Sequence, residues 1–181
     1  TKTKHRSLGT LRERTYRFQR IWGWAGLGHG SGLATLPTNT SALMPTTVRD
    51  EALVVAVGVA VDPSGRLLVG QRPVGKAYAG QWEFPGGKLE PGETGYQALV
   101  REFREELSLE VLSARPLFSC LHNYPDCKVE LHLWQVTDFR GEARGLEGQE
   151  LRWVSPTDLR SLDFLKGNRS LLGRICELVN S

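Results

Sequence analysis

The hydrophobic residues in the middle of the chain cluster in short runs that predict β-strands. Residues 51–61 form a near-continuous run rich in valine, which is typical of a strand buried on both faces. Residues 62–65, Asp-Pro-Ser-Gly, predict a turn, and residues 66–71 predict a second strand that returns as a hairpin.

A second group of strands is predicted after residue 108. Residues 109–120 and 128–136 each predict a strand, and in the second Val129, Leu131 and Leu133 alternate with polar residues. The remaining predicted elements are a Gly-rich acidic loop at 138–148, a short strand at 151–154, a helical turn at 155–159 and a final helix ending near Val179.

A helix is predicted over residues 94–107, between the two groups of strands. Tyr96, Leu99, Phe103 and Leu107 recur at three- and four-residue steps, which gives one apolar stripe along the helix. The stripe predicts that this face of the helix packs on the core.

Three glutamates, Glu102, Glu105 and Glu106, lie beside this stripe. Their spacing is i, i+3 and i+4, so their carboxylates project from one face of the helix. In a cleft, two carboxylates about 5.5 Å apart repel by roughly 3 kcal/mol at an effective dielectric constant near 20, and such a group needs cations. Mg²⁺ is the first candidate and Mn²⁺ the second. From the helix alone, a solvated acidic face is the more common arrangement.

The residues before the helix favour the metal site instead. Gly87, five residues, Glu93, seven residues and the run 101–109, Arg-Glu-Phe-Arg-Glu-Glu-Leu-Ser-Leu, together resemble the signature of the Nudix hydrolases. Ser108 departs from the pattern, because the family usually has Gly there, at a helix end that favours left-handed backbone; the strain is about 1 kcal/mol. The resemblance covers about residues 51–181 and implies an α/β Nudix fold, with a mixed β-sheet in an α/β/α sandwich and the signature as a loop–helix–loop.

The resemblance also implies a reaction, the Mg²⁺-dependent hydrolysis of a nucleoside triphosphate to a nucleoside monophosphate and pyrophosphate. The implied metal ligands are the carbonyl of Gly86 and the carboxylates of Glu102, Glu105, Glu106 and Glu147. The implied general base is Glu102 or Glu147, and Arg101 is expected to orient Glu93 or Glu105 through a charge-assisted hydrogen bond.

Positions outside the signature resemble the MutT-like branch of the family and suggest substrate contacts. Arg72 follows the second strand, where this branch places a nucleotide-contacting arginine, and Lys88 is a further candidate. Asn168 stands at the position of an asparagine that reads a purine edge; alternatively, it is the N-cap of the final helix. Trp82 and Phe84 are predicted to be core residues rather than stacking platforms.

This resemblance favours 8-oxo-dGTP as the substrate, in nucleotide-pool sanitation linked to DNA repair. One alternative is a pyrimidine triphosphate pyrophosphatase of the same branch. Another is a catalytically weak Nudix-like protein that binds nucleic acid through a basic arm.

The charge of the chain divides it into two regions. Residues 1–48 hold seven Lys or Arg and one Glu, a net +6, whereas the remainder holds sixteen Lys or Arg and nineteen Asp or Glu, a net −3. We expect residues 1–48 to be a basic, Gly-rich extension that is poorly ordered or packed on the surface, and residues 49–181 to be the Nudix domain. An untrimmed leader without a catalytic role is favoured for the extension, with a transit peptide or a nucleic-acid-binding arm as alternatives.

The cysteines indicate a reducing compartment. Cys120, Cys127 and Cys176 are an odd number and contain no CxxC pair, so reduced thiols in a cytoplasmic protein are expected, with a Cys120–Cys127 disulfide as the alternative. No apolar run approaches the roughly 20 residues of a membrane-spanning helix, so membrane insertion is not expected. The expected assembly is a monomer or a homodimer.

Overall fold

The computed structural model describes residues 52–123 and 128–179. The predicted extension over residues 1–48 and Cys127 lie outside these residues. The strands are β1 Leu53–Ala60, β2 Leu67–Gln71, β3 Trp82–Glu83, β4 Gly86–Lys88, β5 Glu110–Asn123, β6 Lys128–Arg140 and β7 Glu150–Val154. The helices are α1 Gly95–Leu107, α2 Lys166–Arg169 and α3 Leu172–Val179, with a 3₁₀ turn at Leu159–Ser161.

The strands form two sheets. One has the order β4-β1-β6-β5, in which β1 and β6 are parallel and the other pairs are antiparallel. The other sheet has the antiparallel order β3-β2-β7. The predicted mixed sheet is therefore confirmed.

The predicted hairpin of the first two strands is wrong. β1 and β2 share only the bridge between Val61 and Leu67 and then enter different sheets. The reason is that β4 and β6 occupy the two edges of β1, so no edge remains for β2.

Strand β1 lies between two hydrophobic cores. Val55, Val57 and Val59 belong to a core that also contains Ile175 of α3. Ala56 and Ala60 belong to the second core, which contains the buried residues of α1. Because successive side chains of a strand point to opposite faces, this sheet is covered on both sides, as the predicted α/β/α sandwich requires.

Helix α1 begins with a capping box and packs as its apolar pattern predicts. The Thr94 hydroxyl accepts a hydrogen bond from the backbone of Gln97, and the Gln97 side chain accepts one from the backbone of Thr94. Leu99, Phe103 and Leu107 are buried, together with Ala98. Tyr96, the fourth residue of the predicted stripe, is exposed at the helix edge and contacts the Trp134 ring edge-on.

Helix α1 ends at the position where the sequence departs from the family signature. Ser108 has φ 59° and ψ 28°, in the left-handed region, and its N–H group hydrogen-bonds to the carbonyls of Arg104 and Phe103. The predicted left-handed helix end is therefore present with a serine, which carries strain that glycine would avoid.

Two predicted boundaries move. β6 continues to Arg140, because Asp138, Phe139 and Arg140 pair with β5, so the loop predicted over 138–148 begins only at Gly141. The predicted final helix is α3, which begins at Leu172, and the separate short helix α2 precedes it. No described helix is long and apolar enough to cross a membrane.

Candidate active site

Arg101 of α1 gathers the acidic residues at one end of the signature. Its Nε and Nη2 atoms lie 2.9 and 3.0 Å from the two oxygens of Glu93, so the contact is bidentate. Its Nη1 donates to Glu102 at 2.7 Å and more weakly to Glu105 at 3.4 Å, and Nη2 also donates to the carbonyl of Lys88 at 2.9 Å. The sequence predicts a hydrogen bond from Arg101 to Glu93 or Glu105, and the structure has both, with the shorter ones to Glu93. We call Arg101, Glu93, Glu102 and the Lys88 carbonyl the Arg101 cluster.

The charges of the Arg101 cluster stabilise one another. Hydrogen bonding to Arg101 lowers the pKa of Glu93 below its ordinary value. The pKa of Arg101 is raised, first by its hydrogen bond to Glu93 and then by Glu102. Arg101 is therefore a permanent cation that holds Glu93 ionised and fixes its orientation.

Glu102 is the buried member of this cluster, with 3% of its surface exposed. Burial raises the pKa of Glu102, while Arg101 opposes the shift. A Cβ atom at Gly87 would overlap the Glu102 carboxylate, which explains why the signature has a glycine there. Arg101 bonds to Oε1 of Glu102, so Oε2 is the oxygen that remains for other chemistry.

Gly86 holds a backbone conformation that only glycine adopts easily. Its φ is 145°, and a Cβ atom there would overlap the carbonyl of Ala56 on the neighbouring strand. The Gly86 N–H group points to Glu106 and lies 3.3 Å from Oε2. The Gly86–Gly87 pair thus brings backbone against both Glu102 and Glu106.

Glu106 carries the least compensated charge of the site. Its pKa is raised well above the ordinary value, first by burial and then by the negative charges of Glu102, Glu83 and Glu147. In the part of the chain that the structure describes, no Lys, Arg or His forms an ion pair with Glu106. This carboxylate is the natural point of attraction for an added cation.

A cleft opens beside Glu106, and its other charged residues come from distant segments. Arg72 donates from Nη1 to both oxygens of Glu83 at 2.8 Å, and Lys76 lies 2.6 Å from Glu147. Burial raises the pKa of Glu83, while Arg72 and Lys76 oppose the shift. We call Arg72, Lys76, Glu83, Glu106 and Glu147 the cleft cluster, and all five line the cleft.

Gln149 fixes the loop that carries Glu147. Its Oε1 accepts a hydrogen bond from the Glu147 N–H at 2.8 Å, and its Nε2 donates to the carbonyl of Glu106 at 3.0 Å. The N–H of Leu146 donates to the same carbonyl at 2.9 Å. The loop is therefore attached to the last turn of α1, where helix carbonyls lack partners within the helix.

Asn168 is the third of the four residues of α2 and does not cap a helix N-terminus. It is inside α2, whose N-cap is Leu165, so the alternative that made Asn168 an N-cap is wrong. The physical reason is that its side chain has another partner: Oδ1 accepts a hydrogen bond from the N–H of Phe84 at 2.9 Å. Asn168 is 2% exposed and connects α2 to the segment just before Gly86.

Known protein families and individual proteins share sequence with this chain. The family model of the NUDIX domain matches residues 56–174. The chain belongs to the Nudix hydrolase family. This Nudix hydrolase is 40% identical over 106 residues to the CTP pyrophosphohydrolase of Escherichia coli K12, a match that covers 59% of this chain and 78% of the relative. It is 32% identical over 126 residues to the 8-oxo-dGTP diphosphatase of the same strain, covering 70% of this chain and 98% of the relative.

A solved structure confirms the fold of this Nudix hydrolase and its similarity to MutT. The structure comes from work on MutT of Aliivibrio salmonicida and Vibrio cholerae, and it matches with a TM-score of 0.62 at 28% identity. The match covers 71% of this chain and 99% of the other chain. The predicted Nudix fold and MutT-like resemblance are thus confirmed.

The sequence did not identify Lys76, Glu83 and Gln149 as site residues. The family resemblance had pointed to residues next to Glu83 and Gln149. Those neighbouring residues could have led to the identification of both. Lys76 had no comparable signal, because 71 positions separate it from Glu147. Trp82 and Phe84 are buried, as the sequence predicts.

Among the predicted metal ligands, Gly86, Glu106 and Glu147 line the cleft, whereas Glu102 and Glu105 do not. Within residues 52–123 and 128–179, no three His, Cys, Asp or Glu side chains are arranged to hold a metal ion. Glu102 and Glu147 are instead engaged by Arg101 and Lys76. The donor set still fits a hard divalent cation, because it offers carboxylate oxygens around Glu106, whose charge lacks a cation among the described residues.

Proposed function

We propose that this Nudix hydrolase is a Mg²⁺-dependent nucleoside triphosphate pyrophosphohydrolase that releases a nucleoside monophosphate and pyrophosphate. The observation that carries the proposal is the uncompensated Glu106 carboxylate, in a cleft that also contains Arg72 and Lys76. A triphosphate needs both kinds of group, since cations bind its oxygens and carboxylates bind the metal ions that accompany it.

The proposed ligands of the metal are the Gly86 carbonyl and the carboxylates of Glu102, Glu105, Glu106 and Glu147. Bound Mg²⁺ would supply neutralisation of the phosphate charge and a lower pKa for an attacking water. Mn²⁺ has similar ligand preferences and is expected to substitute for it.

Glu102 is the proposed general base, with Glu147 as the alternative. Arg101 holds Oε1 of Glu102 at 2.7 Å and leaves Oε2 to accept a proton from water. Glu147 is already paired with Lys76, so it would have to leave that pair before it could act as a base. Arg101 and Glu93 are the proposed positioning residues for Glu102.

Asn168, Arg72 and Lys88 are the proposed substrate contacts, and Asn168 is proposed to contact an oxygen of the base. Its Oδ1 already accepts the Phe84 N–H, which leaves the Nδ2 amide to donate to a base oxygen. Both 8-oxoguanine and cytosine present such an oxygen, and the 8-oxo-dGTP diphosphatase relatives support 8-oxo-dGTP as the first candidate. A pyrimidine triphosphate is the second candidate, because the relative at 40% identity is named a CTP pyrophosphohydrolase.

A turnover panel tests the proposal. Purified protein is incubated with Mg²⁺ and with 8-oxo-dGTP, dGTP, CTP or dCTP, and pyrophosphate release is measured. We expect the highest kcat/KM for 8-oxo-dGTP, and a loss of about 100-fold or more in kcat for Glu102→Gln. A preference for CTP would select the second candidate. If no triphosphate released pyrophosphate, the result would reject the enzyme assignment and favour a catalytically weak Nudix-like binding protein.

Location and assembly belong to the proposal as well. Cys120 and Cys176 are free thiols, and free thiols support a cytoplasmic location, whereas the alternative Cys120–Cys127 disulfide involves a residue outside the described part of the chain. A monomer or homodimer, and nucleic-acid binding through residues 1–48, remain predictions.

A further inference from the structure

Lys76 and Glu147 meet across the cleft in a short ion pair. The Lys76 Nζ atom lies 2.6 Å from Glu147 Oε2, and the two side chains are 23% and 28% exposed. Exposed pairs of this kind often contribute little to stability, because holding two long side chains together costs conformational entropy. Here that cost is reduced, since the backbone on each side of the pair is held in place.

The loop over residues 73–80 holds Lys76 over the cleft. The Arg72 guanidinium donates from Nε to the carbonyl of Ala77 at 2.7 Å, and the N–H of Gly80 donates to the carbonyl of Arg72 at 2.9 Å. The N–H of Lys76 donates to the carbonyl of Pro73. The position of Lys76 is therefore set by bonds that its own side chain does not make.

Glu147 is held in the same way from the opposite side. Gln149 fixes its N–H group and ties the loop to the carbonyl of Glu106. The Glu147 carboxylate can thus change partners by rotating its side chain while its backbone stays in place.

The charges of the cleft cluster determine what happens when a divalent cation arrives. Arg72 neutralises Glu83 and Lys76 neutralises Glu147, whereas Glu106 has no ion pair in the described part of the chain. Because Lys76, Glu106 and Glu147 line the same cleft, a cation attracted to Glu106 enters the space that the ammonium group of Lys76 faces. The two positive charges repel, and both can bind the carboxylate of Glu147.

We propose that Lys76 is a positioning residue that holds Glu147 in the metal-free protein and yields it when a divalent cation binds. The inference rests on the proposed function, which makes Glu147 a metal ligand. Once released, the ammonium group has three donors for the phosphate oxygens of the substrate. Lys76 thereby disfavours binding of the metal ion alone and favours binding of the metal ion together with the nucleotide.

The test measures binding of Mn²⁺ alone, without nucleotide, by the electron paramagnetic resonance signal of the free ion. Lys76→Met is expected to bind Mn²⁺ about three- to fivefold more tightly than wild type, the range that a partly exposed ion pair supports. Lys76→Arg keeps the charge and should bind as wild type does. Lys128→Met, at an exposed lysine that does not line the cleft, is the control and should also leave the affinity unchanged.

The sign of the change decides the inference. If Lys76 merely held Glu147 in place as a metal ligand, its removal would weaken Mn²⁺ binding or leave it unchanged. Either result for Lys76→Met overturns the proposal. The absence of Mn²⁺ binding in both proteins overturns it as well. The gain should also disappear when Glu147→Gln is combined with Lys76→Met. A gain of the same size in that double variant would show a general charge effect and would overturn the exchange at Glu147.

Two further measurements keep the result interpretable. Thermal unfolding of each variant verifies that the comparison is between folded proteins. Because nucleotide is absent from the binding assay, a triphosphate panel without pyrophosphate release would reject the proposed function while the Mn²⁺ result stood by itself.

Discussion

The Arg101 cluster and the cleft cluster both combine carboxylates with cations, but they differ in how completely the charges are neutralised. In the Arg101 cluster, a single guanidinium contacts Glu93, Glu102 and a backbone carbonyl. In the cleft cluster, two cations face three carboxylates, and Glu106 has no ion-pair partner among the described residues. The first arrangement is suited to rigidity, and the second is suited to accepting a ligand with positive charge.

The surroundings of the two clusters reinforce this difference. The Arg101 cluster is built from residues 88–102, which are close in sequence and packed against Gly87. The cleft cluster joins three segments, which are residues 72–83, the end of α1 and the loop that carries Glu147. The Arg101 cluster holds its side chains in fixed positions, and the cleft cluster retains a carboxylate that can bind a cation. A preorganised site that exchanges ligands requires both properties.

The largest expected effect comes from breaking the Arg101 cluster. Arg101→Met leaves the Glu102 carboxylate buried without a cation, which costs about 3 kcal/mol of unfolding free energy and lowers the Tm by roughly 6–12 °C. Circular dichroism during heating measures the change. Arg140→Met removes an exposed ion pair to Glu110 and is the control, with an expected change of less than about 1 kcal/mol. Equal shifts in the two variants would mean that the Arg101 cluster is no more than a surface ion pair.

An intermediate effect of the opposite sign is expected in the cleft cluster. Glu106→Gln removes a charge that three other carboxylates repel, so the metal-free variant should be more stable than wild type by about 1 kcal/mol, or 2–4 °C in Tm, at pH above the folded pKa of Glu106. The same variant should lose triphosphate hydrolysis, as stabilised active-site variants commonly do. Glu105→Gln, at an exposed position of the same helix, is the control for stability.

The pH dependence of this difference has a defined sign. Because the pKa of Glu106 is raised in the folded state, its protonated form stabilises the fold fully below the ordinary value of 4.5, and that contribution is lost as the pH rises through the folded pKa. The Tm gain of Glu106→Gln should therefore grow as the pH increases across this range. A gain that is independent of pH would contradict the assignment of the effect to Glu106 ionisation.

The smallest effect concerns Ser108, at the end of the helix that contributes residues to both clusters. Ser108→Gly removes the left-handed strain at φ 59°, and we expect a gain of about 0.5–1 kcal/mol in unfolding free energy. Ser108→Ala keeps the strain and should give no gain. Equilibrium urea unfolding resolves the two variants, and equal midpoints for Gly and Ala would argue against strain at this position.

The sequence predicted those parts of the site that depend on short-range spacing. The step from Glu102 to Glu105 and Glu106 placed three carboxylates on one helix face, and the signature placed Arg101 near Glu93. The helix itself was predictable because its capping residues and its apolar stripe are local features. Fold and family followed from the same stretch, through its resemblance to the Nudix signature.

Other features depended on contacts that no local pattern records. The pairing of β1 with β4 and β6 excludes the hairpin that the sequence predicted, because each strand has only two edges. Asn168 forms a hydrogen bond to Phe84, 84 positions away, so its side chain is unavailable for the predicted cap.

The sequence by itself thus determined the chemistry of helix α1, since residues three and four positions apart are neighbours on any helix. Only the tertiary structure decided which charges remain uncompensated. Whether a carboxylate such as Glu106 or Glu147 forms an ion pair depends on residues far away in sequence as well as on its neighbours. Lys76 and Glu147, for example, form an ion pair although 71 positions separate them. Electrostatic energy depends on distance in space and on burial, and both are set by the folding of the whole domain.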